Sequence, residues 1–152
     1  MTTATKPTIS WMTERDLDQI AAIEAECFDS AWTKDDFRNC LRERNCIGMV
    51  AEYDKSVVGY MLYELHKSYM EFLRFAVHPR YQREGVGVAM VDKMKSKLSS
   101  HRRNRIVIRV RDSNLPAHLF FRASGFDAVR VERGYYRDTN EDAYVFVHRY
   151  KE

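Results

Sequence analysis

Apolar positions along this chain change their period several times, and each change marks an element. Residues 8–11 alternate and predict a short first strand. Thr13-Glu14-Arg15-Asp16 has the form of a helix-capping signal. After it, Leu17, Ile20, Ala21, Ile23 and Cys27 recur at helical spacing, and that pattern leaves Glu24 and Glu26 for solvent. Thr33 and Asp36 repeat the capping signal ahead of a shorter helix carrying Phe37 and Leu41, so residues 28–32 read as a helix–helix loop. Three β-prone runs follow at 47–53, 57–65 and 70–77, the first two separated by an Asp54-Lys55 turn and the third ended by Pro79. A long helix is predicted from near Gly85, with Val86, Met90, Val91, Met94 and Leu98 on one face. Residues 105–111 make a strand, and 115–124 a helix closed by Gly125. Two last strands, 126–132 and 143–149, flank a turn-rich loop. Strands and helices in this order predict a mixed α/β layer fold with its sheet at the centre.

Composition narrows the function classes. The 152 residues suit one domain, and 45% apolar residues suffice for a buried core. A formal net charge of +3 is too weak to point to nucleic acid, and the basic run at 101–105 reads as a solvated loop. Cys27, Cys40 and Cys46 are odd in number and lack metal-ligand spacing, which favours a reducing compartment; no metal site is expected. No apolar run approaches the ~20 residues of a membrane span. Residues 1–10 carry no secretory apolar region, so a cytoplasmic protein is expected, with no nucleic-acid or membrane partner.

The most informative stretch runs from Arg74 to Val88: a strand, a proline stop, a loop with two glycines, and the start of an amphipathic helix. Successive backbone N–H groups at the positive end of a helix dipole bind phosphate. Gly85 and Gly87 let such a backbone approach closely and adopt positive φ. The third glycine of a dinucleotide fingerprint and the Gly-Lys-Ser/Thr of a P-loop are both absent.

Taken whole, the run resembles the pyrophosphate loop of the GNAT acetyltransferases, Gln/Arg-x-x-Gly-x-Gly/Ala, as Gln82, Gly85 and Gly87. Asp112-Ser113-Asn114, then residues 117–126, are similar to that family's second block. Gly134-Tyr135-Tyr136 with Glu141-Asp142-Ala143-Tyr144 resembles its N-terminal acetyltransferase branch, the ribosomal-protein-alanine type. The resemblance covers nearly the whole chain. It implies a central, mostly antiparallel mixed sheet of about seven strands flanked by four helices, spanning residues 1–152 as one domain. It also implies acetyl-CoA as the acyl donor and a protein or peptide N-terminus as acceptor, in a monomer or homodimer. By the same resemblance, Phe75, Ala76 and Val77 meet the pantetheine arm. Gln82, Arg83, Glu84, Gly85, Val86, Gly87 and Val88 cradle the diphosphate, and Asn114 and Phe121 complete the cofactor site.

Acetyl transfer to an amine needs a neutral amine, a stabilised oxyanion and a leaving thiolate. A peptide α-amine has a pKa of about 7.7–8.0, so the base can be modest, and a thiol of pKa about 8.5 leaves with little acid help. The chain departs from the family at both catalytic positions. Arg109 stands where the ribosomal-alanine enzymes carry a glutamate base, and Phe121 where they carry a tyrosine acid. Arginine stays protonated, and phenylalanine has no proton to give. Glu71 falls where histone-acetylating relatives place a glutamate, so it is the candidate base; its plainer reading is a solvated residue at a strand start. A cation near a carboxylate weakens it as a base, and Arg109 could instead bind the substrate, steady the oxyanion, or reach solvent. Tyr135 and Tyr136 are candidates for the acid, though the resemblance favours their holding the peptide and their plainer reading is loop packing; Phe28 and Asp29 shape the entrance. Trp32 reads either as entrance or as core, Asn114 equally as a helix N-cap, and His78 and His118 as structural. Two other functions stay open: acetylation of a small amine or lysine side chain, and acyl-CoA binding with weak or lost catalysis.

Overall fold

The computed structural model describes residues 6–152, so the first five residues of the stretch read for a leader lie outside it. Seven strands form one sheet: β1 (Thr8–Trp11), β2 (Cys46–Tyr53), β3 (Ser56–Leu65), β4 (Met70–Val77), β5 (Arg105–Arg111), β6 (Asp127–Tyr136) and β7 (Glu141–Arg149). Among the described residues, four α-helices accompany them: α1 (Leu17–Cys27), α2 (Lys34–Leu41), α3 (Val86–Lys95) and α4 (Leu115–Ala123). The strand order is β1-β2-β3-β4-β5-β7-β6, and every pairing is antiparallel except β4 with β5. This is the mixed, mostly antiparallel sheet with four helices that the resemblance implies.

Side-chain alternation divides the core between the two faces of the sheet. Val57, Tyr60 and Leu62 of β3 pack with Leu17, Ile20 and Ile23 of α1 and Phe37 of α2. Val58, Met61 and Tyr63, their neighbours on β3, pack on the other face with Val86, Met90, Val91 and Met94 of α3 and Phe121 of α4. The second capping signal is realised at α2: Asp36 N–H donates to Thr33 Oγ1 at 3.2 Å, and Thr33 N–H donates to Asp36 Oδ2 at 2.8 Å.

Two irregularities in β4 create the site. Leu62 pairs with Arg74 and Tyr63 with Phe72, so Leu73 is an extra, unpaired residue. On its other side β4 pairs with β5 only from Met70 to Phe72, opposite Ile106 to Ile108. Beyond those residues the two parallel strands diverge, and one side of the β4 backbone has no strand partner.

The structure corrects three expectations. Glu24 is not solvated: it is wholly buried under α1. α3 ends at Lys95, and Leu98 reaches the core from the chain beyond it. The turn-rich loop between the last strands is short, because β6 continues through Tyr136 by way of register shifts, which places Tyr135 and Tyr136 on a strand.

Candidate functional site

A cleft of about 190 Å³ opens where β4 and β5 part. Its walls are Phe28 from the α1–α2 segment, residues 71–75 of β4, residues 108–111 of β5, Asn114, Ala117 and Phe121 around α4, and Tyr135 and Tyr136 of β6. Eight of the residues singled out from sequence thus meet in one place: Phe28, Glu71, Phe75, Arg109, Asn114, Phe121 and the two tyrosines. Asp29 stands exposed beside Phe28 and does not line the cleft. Phe121 is buried, its ring against Phe72, Phe75 and Phe126.

Glu71 and Arg109 are direct partners, Arg109 Nη1 donating to Glu71 Oε2. Arg109 Nε also donates to Glu132 Oε1 of β6 at 2.7 Å, and its guanidinium lies 5.2 Å from the Tyr135 ring centroid. Hydrogen bonding to Glu132, with the charges of Glu71 and Glu132, raises the guanidinium pKa further against the cost of burial. The same bond holds the Glu132 carboxyl below its usual value. Arg109 therefore neither reaches solvent freely nor is available to an anionic ligand without displacing a carboxylate. The other oxygen of Glu71 lies 3.9 Å from His66 Nε2, which is 3.2 Å from Glu64 Oε1. Glu64, His66 and Glu71 could between them face a cation. Arg109 already supplies Glu71 with a positive partner, so the trio reads as part of an ion-pair network.

Arg111 pairs with Asp138 Oδ2 at 3.1 Å and Glu141 Oε1 at 3.4 Å, and lies 4.0 Å over the Tyr136 ring. Burial pushes the Tyr136 phenol above its ordinary pKa. Ser30 Oγ donates to Asp138 Oδ2 at 2.7 Å, so a hydrogen bond joins the segment carrying Phe28 to the turn after Tyr136.

The glycine loop lies at the far end of β4. Gly85 has φ +88°, and a Cβ built there would meet nothing within 4 Å. Arg83 is also left-handed, at φ 66°. The first backbone bond of α3 runs from Ala89 N–H to Gly85 O at 3.0 Å. Among the described residues, this leaves the N–H groups of Val86, Gly87 and Val88 without a backbone acceptor at the helix N-terminus. Gln82, though exposed, donates through Nε2 to Val77 O at 3.1 Å and ties the loop to the strand. Gly87 departs from expectation. It is buried, and a Cβ there would sit 2.9 Å from Phe120 Cζ, so this glycine serves α3–α4 packing. Asn114 caps α4, its Oδ1 accepting from Ala117 N–H at 3.3 Å. His78 and His118 bond locally, His78 Nδ1 to Arg80 N–H at 3.1 Å and His118 Nε2 to Arg111 O at 3.0 Å.

The loop and the diverging strand fit a coenzyme A moiety. Free amides and an open glycine suit a diphosphate, and an unpaired strand edge suits the amides of pantetheine.

Sequence reading missed Glu24 and Arg74. Glu24 lies seven residues after Leu17 and four after Ile20, so helical spacing put it on the apolar stripe. Its charge argued the other way, and the partner that reconciles the two, Arg74, lies 50 residues away.

Residues 16–126 match the acetyltransferase (GNAT) family. An N-alpha-acetyltransferase of Sulfurisphaera tokodaii is 30% identical over 143 residues, covering 86% of this chain and 85% of that protein. The ribosomal protein bS18-alanine N-acetyltransferase of Escherichia coli is 26% identical over 140 residues, covering 91% and 94%. Among solved structures, Ard1 from Thermoplasma volcanium superposes with a TM-score of 0.86 at 25% identity, covering 97% of this chain and 100% of that one.

Proposed function

Because this chain belongs to the acetyltransferase (GNAT) family, we propose that it acts, as a single domain, to transfer an acetyl group from acetyl-CoA to the α-amine of a protein or peptide N-terminus. The observation that carries this reading is the cleft between β4 and β5. It is lined from Glu71 to Phe75 of β4 across to Tyr135 and Tyr136 of β6, and past Phe72 the strand runs toward the glycine loop without a β5 partner. Acetyl-CoA supplies the activated acyl group as a thioester.

The rest is the work of this chain's own residues. Amides of residues 83–88 hold the diphosphate at the N-terminus of α3, with Gln82 bracing the loop. The edge of β4 at Phe75, Ala76 and Val77 that has no β5 partner would orient the pantetheine, with Asn114 and the buried ring of Phe121 beside it. Phe28 on one side, and Tyr135 and Tyr136 on the other, position the acceptor. Glu71 takes the amine proton on the oxygen that Arg109 leaves open, and His66 stands 3.9 Å behind it. Arg109 keeps that carboxylate fixed. An α-amine with a pKa of about 7.7–8.0 is already partly neutral at physiological pH, so a base held by an arginine suffices. The leaving group, the thiolate of a thiol with pKa about 8.5, departs without the acid that Phe121 cannot be. Relatives named N-alpha-acetyltransferase support an N-terminal acceptor over a small amine. Three free cysteines and the absence, among the described residues, of a helix able to cross a membrane suit the cytoplasm.

The test is acetyl-CoA turnover on peptides differing in their first two residues, with mass spectrometry of the products. Acetyl on the α-amine of a subset of peptides is the expected result. Product only on lysines of N-terminally blocked peptides would overturn the acceptor assignment.

A further inference from the structure

Glu24 is a wholly buried carboxylate in a protein whose proposed chemistry does not use it. Both of its oxygens are engaged. Oε1 accepts from the Tyr60 hydroxyl, and Oε2 accepts from Arg74 Nη2 and from the backbone N–H of Trp32 at 2.9 Å. The three donors come from β3, from β4 and from the α1–α2 segment. Arg74 is the residue that shares the Leu73 irregularity of β4 and lines the cleft. Its guanidinium lies 4.4 Å from the Phe28 ring centroid and 5.3 Å from that of Trp32. Trp32 in turn packs edge-on against Phe37 at 5.3 Å, and Phe37 against Tyr60 at 5.6 Å.

We infer that Glu24 and Arg74 are positioning residues for the acceptor: together they hold the segment from Phe28 to Trp32 as the wall against which the incoming peptide is oriented. The inference rests on the acceptor cleft proposed above. A buried charge is retained at high cost unless it is fully paired. Here the carboxylate binds a main-chain N–H of the α1–α2 connection and a cation stacked on its aromatic side chains, so one group fixes both backbone and ring. Arginine is required for the second task, because its planar guanidinium can stack on Phe28 while donating to Glu24, which a lysine ammonium cannot reproduce. The diphosphate loop makes none of these contacts, so the donor side is independent of the pair.

Two substitutions test this in the full-length protein: Glu24→Gln, which keeps shape and removes charge, and Arg74→Lys, which keeps charge and removes the planar fork. Each is made also in a Trp11→Phe background, where Trp32 is the sole tryptophan; Trp11 is 60% exposed and outside the site. The expected result is a rise in acceptor-peptide KM of about tenfold. The acetyl-CoA dissociation constant, measured by calorimetry, stays within about twofold. Acrylamide quenching of Trp32 increases in both variants. An unchanged acceptor KM, with or without a lower melting temperature, overturns the inference, and so do acceptor and acetyl-CoA affinities that fall together. If the parent protein acetylates no peptide, the acceptor reading above fails; Trp32 quenching still decides this one, an increase supporting it and no change overturning it.

Discussion

Glu71 shares its carboxylate between a permanent cation on one oxygen and the side facing His66 on the other, and this division sets what the residue can do. Glu71→Gln keeps a hydrogen-bond acceptor for Arg109 and removes the proton acceptor. It is expected to lower turnover by about 10²-fold with acetyl-CoA affinity intact; an unchanged rate at neutral pH would remove Glu71 from the mechanism. At Gly85 the constraint is conformational, since the space beside it is open and its φ is +88°. Gly85→Val forces a β-branched residue into the left-handed region and covers the amides with an isopropyl group. Calorimetry should register weaker acetyl-CoA binding, and unchanged affinity would dissociate the loop from the cofactor. Gly87 carries the same residue type for a different reason, the approach of Phe120, so the two glycines of one motif divide between ligand and core.

At the scale of elements, two connections flank the cleft, the α1–α2 segment and the β6–β7 turn, joined by the bond from Ser30 to Asp138. That hydrogen bond, with help from Arg111, holds the Asp138 carboxyl down to about 2. In Ser30→Ala the carboxyl is expected to titrate at higher pH by carbon NMR. Acceptor KM is expected to rise few-fold, in keeping with the loss of one exposed hydrogen bond. An acceptor KM indifferent to Ser30 would mean the walls are set separately. β4 is the element on which everything converges: its first residues pair with β5, Leu73 breaks the register, and its last residues are left to a ligand.

For the whole molecule, titration bounds the pH range of the fold. Asp138, whose folded value of about 2 lies below its ordinary 3.8, contributes stability that is complete above about 3.8 and is lost as pH falls through 2. Glu132 and Glu141 are shifted in the same direction, by Arg109 and by Ser113 respectively, and act in the same sense. Burial acts oppositely at Tyr63, pushing the phenol up to about 12 from 10.0. Its contribution is complete below pH 10.0 and declines as pH rises through 12. Thermal melts across pH should show a plateau between these limits with decline on both flanks. A melting temperature that climbs above pH 10.0 would contradict the burial of Tyr63 and of Tyr60, whose phenol is raised by burial and by the charge of Glu24.

Local pattern determined the element order, the capping of α2, the free-amide loop before α3 and the apolar faces, because each depends on residues within a turn or two of one another. It also brought Glu71, Arg109, Phe28, Tyr135 and Tyr136 into view as site candidates, through residue type and family resemblance. Only the tertiary structure decided how they engage. Arg109 is occupied by Glu71 and Glu132 from two other strands, Tyr136 lies under Arg111, and Glu24 is buried against an arginine 50 residues along the chain. The divergence of β4 from β5 is likewise a property of pairing between strands, absent from the period of either. Charge compensation and strand separation act across space, so a one-dimensional pattern carries the residues that take part in them and leaves their partners undetermined.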